Sequence, residues 1–172
     1  MIVFDASTLI LLAKVEALDT FLGDYKEEVV IPREVEKEAT AKKTFDGLLI
    51  SKRLAEGKIR VAEAPSDVAL KLMQDFSLKQ GEAEAIALAA KNTDALLATD
   101  DKNAIKACKL LKISFTTAVD FIVRASEKNL VKREDALAKL GQLAQYGRYH
   151  EGIIKDAERK ISGGKDAKDT KR

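Results

Sequence analysis

Acidic residues stand where four short apolar stretches end or adjoin. Asp5 follows Ile2-Val3-Phe4, Glu38 lies in the stretch that begins at Val29, Glu82 opens an alanine-rich run, and Asp100-Asp101 follow Leu96-Leu97-Ala98 and Thr99. Carboxylates far apart in a chain can converge when they sit at the ends of buried elements. A carboxylate cluster without histidine or cysteine suits hard divalent cations: Mg²⁺ and Mn²⁺ prefer oxygen ligands and usually keep several waters. Such ions commonly serve reactions at phosphate.

Each acid also has a plainer role. Asp5-Ala6-Ser7 ahead of an apolar-periodic segment fits a helix N-cap, with Ser7 within reach of Asp5. Of Asp100 and Asp101, one can cap a helix and one hold metal, or both can contribute. Two carboxylates about 4 Å apart repel by roughly 4 kcal/mol at an effective dielectric near 20. Converging carboxylates without a cation should therefore have raised pKa values. Glu82 and Glu84 lie two residues apart on a helix and point in nearly opposite directions. Glu82 shares its face with Ala85, Ile86 and Ala89, and Glu84 shares its face with Leu88 and Lys91. That makes Glu82 the site candidate and Glu84 a surface residue. Periodicity does not choose among Glu34, Glu36 and Glu38, any of which suits a solvated acidic helix face.

The elements that must position these residues follow from apolar spacing. Short buried strands are expected at Ile2–Phe4, Glu28–Ile31, Lys58–Val61, Ala95–Ala98 and Ile113–Thr116. Helices are expected at Ala6–Val15, Glu16–Leu22, Pro32–Thr40, Asp46–Glu56, from Ser66, from Gly81 to Lys91 and at Lys102–Leu111. Pro32 suits a first helical position. The alternation predicts an α/β fold of three layers, α/β/α, around a central parallel sheet. In such sheets ligands bind beyond the carboxyl ends of the strands, where Asp5 and Asp100-Asp101 fall. Past Thr117 only helices are expected, at 118–128, 133–145 and 149–161. The domain reading is therefore an α/β domain over 1–120, a helical C-terminal extension over 121–161 packed on it, and a disordered tail over 162–172.

Composition narrows the chemistry. The 172 residues carry 46% hydrophobic and 34% charged residues, enough for a core under a densely charged surface. A net charge of +2 gives no global field that demands a nucleic-acid partner. One cysteine, Cys108, excludes an internal disulfide and reads as a buried thiol in a reducing compartment. One histidine, His150, excludes a two-histidine ribonuclease mechanism within the chain and leaves a His/Cys zinc site unsupported. No apolar run approaches the ~20 residues that span a bilayer. The N-terminus reads straight into a strand without a signal-peptide pattern, so the expected location is the cytoplasm, with no membrane partner. Tyr146 and Tyr149 beside Arg148 could stack on bases or close a helix–helix contact.

Together these residues resemble the PIN-domain nuclease family. The resemblance rests on Val3-Phe4-Asp5-Ala6-Ser7 with Leu9-Ile10, on Ile31-Pro32 with Val35 and Glu38, on Gly81-Glu82-Ala83-Glu84-Ala85-Ile86, and on Leu97-Ala98-Thr99-Asp100-Asp101-Lys102-Asn103. It covers roughly residues 1–145, and the Gly-Glu-Ala-Glu-Ala form is similar to a prokaryotic VapC-like subgroup with a helical C-terminal extension. The resemblance implies that Asp5, Glu38, Glu82 and Asp101 are the catalytic acids. It implies a metal set of Asp5, Glu82 and Asp101 with Asp100, Mg²⁺ or Mn²⁺ as cofactor, and Ser7, Thr99 and Asn103 as supporting residues. The pattern Thr-x-Asp prefers Asp101 over Asp100, and Glu82 departs from it where many members have Asp. The implied function is a divalent-metal-dependent endoribonuclease, the toxin component of a toxin–antitoxin pair, acting on RNA as a homodimer with a small antitoxin partner. The alternative is a catalytically weak PIN-like RNA-binding or protein-interaction scaffold. A phosphotransferase or phosphatase of another α/β fold is a further alternative. Against it, Ser7 stands where dehalogenase-type enzymes need a second Asp, and the acidic pair comes late for a receiver domain.

Overall fold

The computed structural model describes residues 1–163. Its centre is a sheet of five parallel strands: β1 (Ile2–Phe4), β2 (Val29–Pro32), β3 (Arg60–Ala62), β4 (Leu96–Ala98) and β5 (Ser114–Thr116), in the order β3-β2-β1-β4-β5. The register places Val3 opposite Val30 on one side and Leu97 on the other. From β1 the chain builds outward in one direction through β2 and β3, then returns to add β4 and β5 on the opposite side. The crevice beyond the carboxyl ends of β1 and β4 is therefore the topological switch point.

Successive strand residues point to opposite faces, and β1 is buried on both. Ile2 and Phe4, with Val29 and Ile31, join a core on one face with α1 (Ala6–Lys14), α2 (Leu18–Asp24), α3 (Arg33–Thr40) and α4 (Phe45–Ala55). The same core takes in α8 (Ala118–Glu127), α9 (Arg133–Tyr146) and α10 (Glu151–Ile161). Val3, Val30 and Leu97 face a second core with α5 (Ser66–Phe76), α6 (Gln80–Ala90) and α7 (Lys102–Leu111). The result is a three-layer α/β/α fold, as the strand–helix alternation predicts.

The helical extension is fastened to the first layer. Phe121 of α8 stacks on Phe4 at 5.5 Å between ring centroids and meets Phe21 edge-on at 4.9 Å. Lys139 Nζ of α9 donates to Val15 O at 2.8 Å and Glu16 O at 3.2 Å, satisfying carbonyls left open where α1 ends. Glu16 turns the chain there with φ of 55°.

The expected elements are all present, with ends shifted by a few residues. Pro32 is corrected: it closes β2 and serves as the N-cap of α3, with φ −69° and ψ 161°, rather than its first helical residue. Extended ψ at Pro32 lets it pair beside Ala62 before the helix begins. The expected disordered tail lies, from residue 164 onward, outside the described residues. Among those described, no helix is long and apolar enough to cross a membrane.

Candidate functional site

Asp5 leaves β1 at the switch point with 1% of its surface exposed. Its carboxylate caps α1: Oδ1 accepts from Thr8 N at 2.8 Å and from Ser7 Oγ at 3.1 Å. Oδ2 accepts from Thr99 Oγ1, across the crevice, at 2.5 Å. The residue that caps α1 is thus also the one expected in the site. Burial pushes the Asp5 carboxyl up to about 6. The hydrogen bonds from Thr99 and Thr8 oppose that rise, and the Asp100 charge adds to it. A carboxylate held this way is electrostatically short of a cation.

Thr99 is fully buried at the end of β4 and works in two directions. Its hydroxyl donates to Asp5 and accepts from Asp101 N at 3.2 Å. The next two residues have separate fates. Asp101 is the N-cap of α7, its Oδ1 accepting from Asn103 N at 2.8 Å and Ala104 N at 2.9 Å. Asp100 turns instead toward α1, α8 and the α9–α10 loop. Its Oδ2 accepts from Thr8 Oγ1 at 2.9 Å and Ala118 N at 3.0 Å, and its Oδ1 accepts from Tyr149 Oη at 2.8 Å. Burial holds the Asp100 carboxyl above its usual range; the bonds from Ala118, Tyr149 and Thr8 oppose that rise, and the Asp120 charge adds to it. Asp100, placed with the metal ligands by its motif, is engaged by chain donors on both oxygens.

The other wall is the first turn of α6. Lys79 N donates to Glu82 Oε2 at 2.9 Å, so Glu82 folds back over its own helix start. Its carboxyl is raised by burial first, and then by the charges of Asp101 and Glu38, which places the three acids as electrostatic neighbours. Gly81 brings α6 close to α3: a Cβ there would lie 3.3 Å from Val35 Cγ2 and 3.7 Å from Glu38 Oε2. Glu38 itself is exposed. Asn103 joins the two helix starts, its Nδ2 donating to Ser77 O at 3.3 Å just before α6.

Some readings change. Glu84, expected on the surface, is half-buried, and its Oε2 accepts from Glu34 N at 3.3 Å while Oε1 accepts from Gln80 Nε2 at 2.8 Å. The reason is that α6 is buried on nearly all sides, so the start of α3 stands where solvent was expected. Tyr149 spends its hydroxyl on Asp100, whereas Tyr146 is exposed, with Lys14 Nζ 5.5 Å over its ring. His150 caps α10 through Nδ1, which accepts from Gly152 N at 3.2 Å. Cys108 is buried and its thiol is pushed up to about 11 by burial, which suits an inert core residue. Thr8 is the residue that sequence reasoning missed. The available signal was a hydroxyl at the spacing of Leu12 and Val15, on the stripe that α1 buries.

The donors available for an ion are all oxygens, anionic and free of competing nitrogen or sulfur, which fits Mg²⁺ or Mn²⁺ in type and charge. As the side chains lie, no group of three or more His, Cys, Asp or Glu residues among the described residues closes on a point that could hold a metal. A cavity of about 640 Å³ between α2 and α8 is lined by Phe21, Tyr25, Phe121 and Arg124 but by none of these acids.

A family model described as a PIN domain matches residues 1–161. A search of curated proteins finds no match.

Proposed function

The chain belongs to the PIN-domain family, whose members are typically nucleases, and we propose that it is a divalent-metal-dependent endoribonuclease that hydrolyses RNA phosphodiester bonds as the toxin of a toxin–antitoxin pair. The observation that carries the reading is Asp5. It is a carboxylate buried at the β1–β4 switch point, its carboxyl raised by that burial, and tied through Thr99 to the start of α7. A buried, uncompensated charge costs several kcal/mol unless a cation or proton joins it.

Asp5, Glu82 and Asp101 would hold Mg²⁺ or Mn²⁺, with Glu38 ligating directly or through water and Asp100 behind them. Such an ion lowers the pKa of water and stabilises charge on phosphate and leaving oxygens. The chain does the positioning. Ser7 and Thr8 N fix Asp5 Oδ1, Thr99 fixes Oδ2, and Asn103 sets α7 against the start of α6. No protein nucleophile is required, in keeping with a single histidine used as a helix cap. A cytoplasmic location, a small antitoxin and a second copy of this chain go with the toxin reading.

Mn²⁺ calorimetry and RNA cleavage on the same samples test it, comparing wild type with Asp5→Asn and Glu82→Gln. Binding and cleavage that fall together in each variant, more in Asp5→Asn than in Glu82→Gln, are the expected result. One observation favours a second reading, a PIN-like scaffold that binds RNA or protein without turnover: among the described residues, the acids do not close into a ligand set as they lie. Wild type that binds RNA but no divalent ion would select the scaffold.

A further inference from the structure

We infer that Asp100 and Tyr149 are positioning residues for the acidic crevice, so that the helical extension is part of the catalytic unit; the inference rests on the nuclease reading above. Asp100 joins four separate parts of the chain. It lies just past β4, receives Thr8 from the first turn of α1 and Ala118 N from the start of α8, and receives the phenol of Tyr149 from the loop between α9 and α10. Thr8 continues the line, since its own N–H donates to Asp5 Oδ1 at 2.8 Å. Tyr149, Asp100, Thr8 and Asp5 thus form one unbroken series of hydrogen bonds from the extension to the buried acid.

The place for Tyr149 is prepared. Gly147 has φ −98° and ψ 165°, a conformation open to any residue, so backbone freedom does not explain it. A Cβ at Gly147 would lie 2.3 Å from Tyr149 Cε2, 2.9 Å from its Cδ2 and 3.1 Å from Leu143 O. The glycine lets the ring fold back over the end of α9 and aim its hydroxyl at Asp100. The extension then grips α1 at both ends, through this series at Asp5 and through Lys139 at Val15 and Glu16.

Asp100 also sits between Thr99 and Asp101 in the chain. Its three hydrogen bonds hold its place in the chain, and with it the neighbours on either side. One carries the hydroxyl that meets Asp5 Oδ2, and the other carries the N–H and carboxylate of Asp101. Groups that orient ligands in this way typically change metal affinity or activity by 10–100-fold when removed. Displacements of about 1 Å at reacting groups have effects of similar size.

The test uses the full chain, four single variants and one double variant. Tyr149→Phe keeps the ring and removes the hydroxyl, Gly147→Ala displaces the ring, Thr8→Val breaks the next link and Thr8→Ser keeps it. Metal-free melting, calorimetry with Mn²⁺ alone, and kcat and KM on an RNA oligonucleotide are read on each, at a temperature where all are folded. The first three are expected to lose about tenfold in Mn²⁺ affinity and about tenfold in kcat with KM unchanged. Thr8→Ser should match wild type. The Tyr149→Phe/Thr8→Val double variant should be no worse than either single, because both break one series. Lowered melting with Mn²⁺ affinity and kcat at wild-type values would overturn the inference and leave a plain tertiary cross-link. Wild type that binds no Mn²⁺ would sink both this inference and the nuclease reading; wild type that binds and cleaves, with an unaltered Tyr149→Phe, would sink this one alone.

Discussion

On the β1 side of the crevice, Asp5 is buried and both its oxygens accept hydrogen bonds, from Ser7, Thr8 and Thr99. On the α6 side, Glu82 is half-buried and bonds only to the backbone of its own helix start, while Asp101 and Glu38 act on it as charges. Fixed dipoles organise the first side before any ligand arrives, and the second is a set of carboxylates that repel one another until something positive enters. A ligand site built this way has one rigid wall and one that adjusts, and the two walls should respond differently to substitution.

The largest difference is expected at Asp5. Asp5→Asn removes the charge while leaving an acceptor for Thr8 N and a donor for Thr99. If the rigid wall sets the ion's place, Mn²⁺ binding is lost and cleavage falls by about 4 kcal/mol of transition-state stabilisation, roughly a thousandfold. Glu82→Gln removes a charge from the adjustable wall and keeps an oxygen, so a smaller loss is expected, of about tenfold in Mn²⁺ affinity. Equal losses in the two variants would erase the distinction between the walls.

Next in size is a pH effect on the metal-free protein. The folded-state value of Asp5, about 6, lies above its ordinary 3.8, so the folded protein binds the proton more tightly than the unfolded chain. The contribution of Asp5 to stability is therefore undiminished below pH 3.8 and falls as pH rises through 6, by about 3 kcal/mol in all. Asp100 and Glu82 are raised as well and act in the same direction. Chemical denaturation of metal-free protein between pH 4 and 7 is expected to show this decline. Asp5→Asn should flatten it and be more stable than wild type near neutrality, although it binds no ion. A wild-type profile that rises over the same range would show that the raised acids of the crevice do not set the pH dependence.

The rigid wall was partly legible in the chain. Asp5 at the end of a three-residue apolar run, with Ser7 beyond it, announces a cap, and Thr99 precedes its acids at the end of another such run. The strands could be read because β1 and β4 are buried on both faces and contain little but apolar residues. What could not be read was set by distant packing. Thr8 and Asp100 are 92 residues apart, and Tyr149 is a further 49 along, so no local pattern joins them. Glu84 was misplaced because helix periodicity alone assumes one wet face, and α6 has almost none. Glu38 was chosen from three glutamates by motif rather than by period. Gly81, where a Cβ would come within 3.7 Å of Glu38, now gives that choice a spatial counterpart.

The smallest effect is expected at Asn103, and it bears on how loose the second wall is. Asn103 is exposed, and its side chain makes one long bond, 3.3 Å to Ser77 O, across the gap between the start of α7 and the segment leading into α6. Ser77 holds a left-handed conformation with φ 54° at the end of α5, so its carbonyl is presented by a strained turn and not by a helix that could re-bond it internally. Asn103→Ala should lower metal-free stability by about 1 kcal/mol or less, the net worth of one exposed hydrogen bond. Its effect on Mn²⁺ affinity should be smaller than that of Tyr149→Phe, because Glu82 is free to follow the ion once repulsion is relieved. If instead Asn103→Ala lost affinity as strongly as Tyr149→Phe, the spacing between Glu82 and Asp101 would be as firmly set as that around Asp5. The crevice would then have two rigid walls, one built by hydrogen bonds to the acids and one by a hydrogen bond between the helices that carry them.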